Sequence, residues 1–208
     1  MPTEVERFAS NPIQYAKQTC INLQTKSGDM GASFDANQSY SPCYFDLEPW
    51  SNSLFANAEQ VILKPTKTPG PGLIEGYYVP YIAYGSIEST GRDMVLLDNV
   101  PMHNPPHKFI FTGGQNGCSL LMLKGATPGT VSALHYPNSD GKAKGYPLLS
   151  RVGKFQSDIL LSIDFDFYGD ETNPNAASFF YHDGARWVGV TQPQIQGKHY
   201  QTYSARRL

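Results

Sequence analysis

The chain has 208 residues, 40% of them hydrophobic and 16% charged, and a formal net charge of −2. That length and apolar share suit one well-filled domain covering 1–208. No basic cluster is longer than Arg206-Arg207, which argues against direct nucleic-acid binding, and no apolar run approaches the roughly eighteen residues of a membrane span.

The first segment, Met1-Pro2-Thr3-Glu4-Val5-Glu6-Arg7, is charged and has no apolar stretch, so no classical secretory signal is expected. Thr3-Glu4-Val5-Glu6 has the form of a capping box and predicts a short helix to about Ala9. Asn11-Pro12 predicts a second helix, with Asn11 as cap and Pro12 at its first position. From there strand signals dominate. Residues 18–24 alternate, 26–41 read as a polar loop, 49–58 as a short helix and 59–63 as a strand. Lys64 to Gly72 holds three prolines and two glycines and reads as a surface loop. Gly76 to Tyr84 is aromatic and β-rich, its tyrosines assigned to sheet packing, and Asp93 to Val100 is another strand. Strands are expected at 107–112, 118–124 and 131–136, then a loop over 138–157 and a long strand from Asp158 to Tyr168 carrying Asp164 and Asp166 on one solvated face. Asp183-Gly184 marks a hairpin between 179–182 and 186–190, and 199–204 forms a last strand. The expected fold is a β-rich α+β domain: two packed mixed or antiparallel sheets, a sandwich-like core, with a few helices mainly near the N-terminus.

The three cysteines, Cys20, Cys43 and Cys118, lack metal-binding spacing. They are expected to be reduced thiols in a cytosol, the alternative being a Cys20–Cys43 disulfide in an exported protein. His103 and His107 are four apart, but Pro105 and Pro106 forbid the helix that would aim both at one metal. Neither a metal nor a cofactor is expected.

One segment combines residue types and spacing that suggest chemistry. Thr112 is followed by a glycine-rich turn, Gly113-Gly114-Gln115-Asn116-Gly117, then by Cys118, and His135 comes seventeen residues after the cysteine. If 107–112, 118–124 and 131–136 form an antiparallel meander, Thr112 lies near Cys118. The return loop then pairs His135 with Leu120 or with Cys118. Either register leaves Cys118 and His135 on one face, whereas a one-residue slip separates them. A thiol with an ordinary pKa of about 8.5 needs a base at neutral pH, and an imidazole can take its proton. Backbone N–H groups of the turn, from Cys118 itself and from Gly114, Asn116 or Gly117, are candidates to hold an oxyanion. Thr112 would fix the imidazole tautomer, as a carboxylate or amide does in other triads.

Thr-x5-Cys-x16-His with glycine directly before cysteine resembles the motif of the chemoreceptor glutamine deamidases, of the bacterial Cys-His-Thr glutamine deamidase superfamily; the Thr-x5-Cys step and the Gly-Cys pair also resemble the Burkholderia lethal factor-like toxins, whose histidine lies closer to the cysteine, and the Gly-Cys pair with a downstream histidine is similar to the catalytic domain of cytotoxic necrotizing factor. The match covers Thr112 to His135, and Gln115-Asn116-Gly117 replaces the Leu-Ser-Gly of the toxins. The resemblance implies a monomeric hydrolase that converts a protein glutamine to glutamate and ammonia, with Cys118 as nucleophile, His135 as base and acid, and Thr112 as the orienting group. It also implies a bacterial effector or toxin delivered to a eukaryotic cytosol, acting on a host protein. For the lethal-factor type, which fits best by length, that protein is a translation-initiation RNA helicase and the outcome is translation inhibition. Two other readings stand beside it. One is a cysteine protease or transglutaminase using the same triad. The other is a non-catalytic β-sandwich binding module in which Cys118 is structural.

Overall fold

The computed structural model describes residues 1–23, 38–49, 59–90, 93–137, 145–169, 175–195, 198–199 and 204–207. The chain opens with two short helices, α1 (Glu4–Ser10) and α2 (Pro12–Gln18). Both caps expected from the sequence form. Thr3 Oγ1 accepts from the Glu6 N–H at 3.1 Å while Glu6 accepts from the Thr3 N–H at 2.8 Å, and Asn11 Oδ1 accepts from the Gln14 N–H at 3.0 Å. Each cap satisfies N–H groups that a helix start leaves without partners.

The strands follow: β1 (Thr19–Asn22), β2 (Tyr40–Pro49), β3 (Glu59–Thr66), β4 (Ile74–Val79), β5 (Leu96–Pro101), β6 (Phe109–Thr112), β7 (Gln115–Asn116), β8 (Ser119–Lys124), β9 (Thr130–Tyr136), β10 (Ile159–Ile163), β11 (Asn175–His182), β12 (Trp187–Ile195), β13 (Lys198–His199) and β14 (Ser204–Arg207). Two further helices interrupt them, α3 (Tyr84–Thr90) and a single turn, α4 (Phe165–Tyr168). The larger sheet runs β1-β3-β2-β4-β6-β11-β12-β13, with β14 also on β12 and β7 on β11. It is mixed, because β1 pairs β3 and β4 pairs β6 in parallel. The smaller sheet, β10-β8-β9-β5, is antiparallel throughout. The β-rich α+β class with two packed sheets is therefore the observed one.

Three buried clusters place the layers. Phe45, Phe109, Phe111 and Phe179 of the larger sheet pack against Phe8 and Tyr15 of the N-terminal helices. Tyr77, Val79, Ile110 and Phe180 of the same sheet's other face meet Leu120, Met122, Val131 and Ala133 of the smaller sheet. Leu121, Leu123 and Leu134, on the far side of the smaller sheet, lie under Ile87 of α3 and under Tyr146 and Leu149. Alternation along each strand sorts the residues: in β8 and β9, Leu120, Met122, Val131, Ala133 and His135 share the parity that faces the larger sheet.

Several expectations are corrected. The meander does not form. β6 belongs to the larger sheet, between β4 and β11, and β8 to the smaller one, so no hairpin pairs Thr112 with Cys118, and Thr112 instead meets His135 across the sandwich. β6 is buried at all four positions, on both faces, and apolar at the first three, which suits a central strand and not one edge of a three-stranded ribbon. The strand expected from Asp158 to Tyr168 ends at Ile163, and the chain then turns through α4. Asp164 consequently does not sit on a solvated strand face: it accepts the Tyr146 hydroxyl at 2.5 Å. Tyr84, read with the preceding strand, starts α3. β2 covers Cys43, which was not assigned to a strand, and β3 runs on through Pro65 into the segment read as loop. The helix expected at 49–58 lies outside the described residues, apart from Pro49, which ends β2.

Candidate active site

Thr112 is the last residue of β6 and has the parity of Ile110, so its side chain enters the inter-sheet layer. His135, in β9, enters the same layer from the other sheet, one step beyond Ala133. The two side chains meet there, with Thr112 Oγ1 2.7 Å from His135 Nδ1. Thr112 Oγ1 also lies 2.7 Å from the carbonyl oxygen of Val79, on the parallel neighbour β4.

These two contacts determine the imidazole tautomer. A carbonyl oxygen can only accept, and a threonine hydroxyl has one proton. That proton goes to Val79, so toward His135 the hydroxyl accepts and Nδ1 carries the hydrogen. The unprotonated nitrogen is then Nε2. It is buried and has no hydrogen-bond partner. His135 is 1% exposed, and burial alone pushes its pKa down to about 3. The ring is neutral at pH 7, with a basic lone pair at Nε2.

Cys118 directly precedes β8. The register pairs Leu120 with His135, one of the two pairings expected from the loop length, so Cys118 falls diagonal to the histidine on the same face. Gly117, at φ +79°, makes the turn into the cysteine in a backbone conformation that glycine adopts without penalty. The thiol lies 3.7 Å from the Asn116 carbonyl oxygen and is 3% exposed.

The cysteine backbone is held from the other side. Its carbonyl accepts the Tyr168 hydroxyl at 2.5 Å and the Gln115 side-chain N–H at 3.2 Å. Gln115 also donates to Ile163 O at 3.5 Å, tying the turn to β10. The Gly117 backbone hydrogen-bonds the Tyr168 phenol. Tyr81 completes the group. Its ring centroid is 4.6 Å from that of His135, and its hydroxyl hydrogen-bonds the Cys118 side chain. Burial, then the Cys118 contact, raises the Tyr81 pKa, so the phenol stays protonated.

Among the turn residues expected to supply oxyanion donors, the Gly114 N–H is engaged by the Leu23 carbonyl at 3.2 Å. Asn116 sits in β7, paired with Asn175 of β11, and Gly117 is next to the cysteine, against Tyr168. Thr112 and His135 are in contact and Cys118 lies on the face of His135, with Tyr81 against both, while Tyr81, Gln115 and Tyr168 are not expected from the sequence. Tyr81 carried a faint signal: it follows Pro80, which ends the aromatic strand. Nothing in the sequence points to Tyr168, because α4 is a tertiary feature.

The other candidates stay structural. Cys20, Cys43 and Cys118 are all free thiols, so no Cys20–Cys43 disulfide is formed. Burial raises Cys43 to about 12, which keeps it protonated and inert. His107 lies at the other end of β6 from Thr112, edge-on to Tyr77 at 5.0 Å. No cluster of three metal-ligating side chains occurs among the described residues. Neither protein-family models nor curated proteins give a match to this chain.

Proposed function

We propose that the protein is a cysteine-dependent amidohydrolase acting on glutamine side chains of a protein substrate. The observation that carries this reading is the Thr112–His135 contact, which leaves the lone pair of a neutral, buried imidazole at Nε2, on the face where Cys118 lies. In the reaction, Nε2 takes the thiol proton and the Cys118 sulfur attacks the carboxamide carbon. The tetrahedral adduct collapses as the imidazolium returns its proton to nitrogen, the C–N bond breaks and ammonia leaves. A water then gives a proton to Nε2 and its oxygen to the acyl carbon. The C–S bond breaks, the acid product departs, and the thiolate recovers its proton. Thr112 and the Cys118 clamp made by Tyr168 and Gln115 are positioning groups.

A bacterial effector that deamidates a host protein, such as a translation-initiation RNA helicase, is the setting that the Thr-x5-Cys-x16-His resemblance supports. A structural Cys118 in a binding module is the second reading, favoured by the burial of the thiol. Mass spectrometry of a eukaryotic lysate treated with wild type and with Cys118→Ser separates them. Glutamine-to-glutamate changes and ammonia release found only with wild type are expected. Peptide-bond cleavage without ammonia would mean a protease, and no change at all would favour the binding module.

A further inference from the structure

Neither reacting group meets solvent: Cys118 is 3% exposed and His135 1%. Tyr81 touches both and is itself 39% exposed. Its neighbours Pro80 and Ile82 are buried, and the Val79 carbonyl is tied to Thr112. The backbone on either side of Tyr81 is thus anchored, and the element free to swing is the side chain.

The strands around the site are closed as well. β4 lies between β2 and β6, β6 between β4 and β11, β8 between β10 and β9, and β9 between β8 and β5. None of the four is an edge strand of its sheet, so only the one or two residues past the last β5 pair, Leu96–Leu134, are open to an added strand, the usual way to present a backbone amide.

We propose that the Tyr81 side chain is the door to the Cys118–His135 pair, and that the opening it uncovers admits one extended side chain ending in a planar carboxamide but not a polypeptide backbone. The space vacated by one aromatic ring matches a flat amide head on an aliphatic stem. This deepens the deamidase reading and rests on it. Tyr81 is a positioning and specificity-determining residue: its swing exposes the thiol, and its ring sets the width of what enters.

Alkylation of the intact protein tests this, with Cys118, Cys20 and Cys43 followed separately by peptide mass spectrometry. Iodoacetamide is the slim probe, itself a primary carboxamide, and N-(1-pyrenyl)maleimide the bulky one. Wild type should react at Cys118 slowly with the first and more slowly still with the second. Tyr81→Ala should accelerate Cys118 about tenfold or more, as expected when an open state of a few per cent becomes the ground state, and should erase the difference between probes. Tyr81→Phe, which keeps the ring, should stay within about threefold of wild type. An unchanged Cys118 rate in Tyr81→Ala would overturn the proposal. So would equal acceleration of Cys20 and Cys43 in both Tyr81→Ala and Tyr81→Leu, since residue 81 would then hold the fold and not the entrance. If Tyr81→Ala accelerates Cys118 but adding His135→Ala does not slow it again, the door stands and the deamidase reading falls.

Discussion

Two histidines are buried at the layer between the sheets, and they differ in which nitrogen holds the proton. His182 ends β11, is 2% exposed and packs edge-on to Trp187 at 5.4 Å. Its Nδ1 accepts from the Gly184 N–H at 3.2 Å, so its proton sits on Nε2, which is buried and has no hydrogen-bond partner. Trp187 in turn donates to Pro101 O at 3.1 Å, linking the two sheets. His135 is the reverse case: Nδ1 carries the proton, directed to Thr112, and Nε2 keeps its lone pair. Burial lowers the pKa of both rings. Burial therefore does not mark the candidate base. The tautomer does, and the tautomer is set by whether the neighbour of Nδ1 accepts or donates.

The widest separation between the two should come from removing each ring. His135→Ala is expected to lower the rate of ammonia release by a factor of about 10²–10⁴, the usual share of general acid–base catalysis. His182→Phe should leave that rate within a few-fold of wild type and act on thermal stability instead. Comparable loss of activity in both variants, at matched stability, would erase the distinction between the two histidines.

The hydroxyl of Thr112 is the next lever. Thr112→Val leaves the His135 Nδ1–H and the Val79 carbonyl buried without their partner, at a cost of about 1–3 kcal/mol in urea unfolding. It also frees the ring to exchange tautomers, so activity should fall by more than stability predicts. Thr112→Ser keeps the hydroxyl and should restore most of the activity, with about 1 kcal/mol lost for the missing methyl. Equal activity in the serine and valine variants would show that the hydroxyl does not orient the base.

Acid sharpens the comparison further. The folded-state pKa of His135 is depressed to about 3, against about 6.5 when unfolded. Between these values the unfolded chain binds a proton that the folded one refuses, so stability is full above about pH 6.5 and declines as pH falls toward 3, by ~1.4 kcal/mol per pH unit from this group. His182 contributes in the same direction. Denaturant titrations across that window should show a shallower slope for His135→Gln than for wild type, and still some slope, from His182. An unchanged slope would mean that His135 is not held neutral by burial.

The smallest effect is expected at the cysteine clamp. Tyr168→Phe removes one hydrogen bond to the Cys118 carbonyl, while Gln115 keeps the other, and should cost about 0.5–1.5 kcal/mol with a modest loss of rate. A collapse of activity with intact folding would make Tyr168 more than a positioning group.

Local signals were legible. Capping residues wrote α1 and α2, short apolar runs bounded by turns wrote β8 and β9, and the loop between them narrowed the register to two pairings, of which Leu120–His135 is the one formed, because in a hairpin the turn length sets the pairing. That was enough to put Cys118 and His135 on one face. Thr112 does contact His135, but by a route other than the one expected. The hairpin that should have carried it to Cys118 does not exist, and it arrives from the opposite sheet. The long strand through Asp164 failed for a related reason. Its alternation was real, but a turn into α4 lets Tyr168 reach the Cys118 carbonyl and Asp164 take the Tyr146 hydroxyl.

The chain by itself thus determined a β-rich α+β domain, its strands and caps, and the residue types of a thiol–imidazole–hydroxyl site, since these depend on spacing of a few residues. Which sheet β6 joins, which tautomer His135 holds and what closes the site are decided between segments far apart in sequence. Val79, Thr112 and His135 must meet before the proton on the imidazole has a defined place. Tyr81 becomes a door because the two sheets leave the thiol and the imidazole beneath its ring, an arrangement no local pattern encodes.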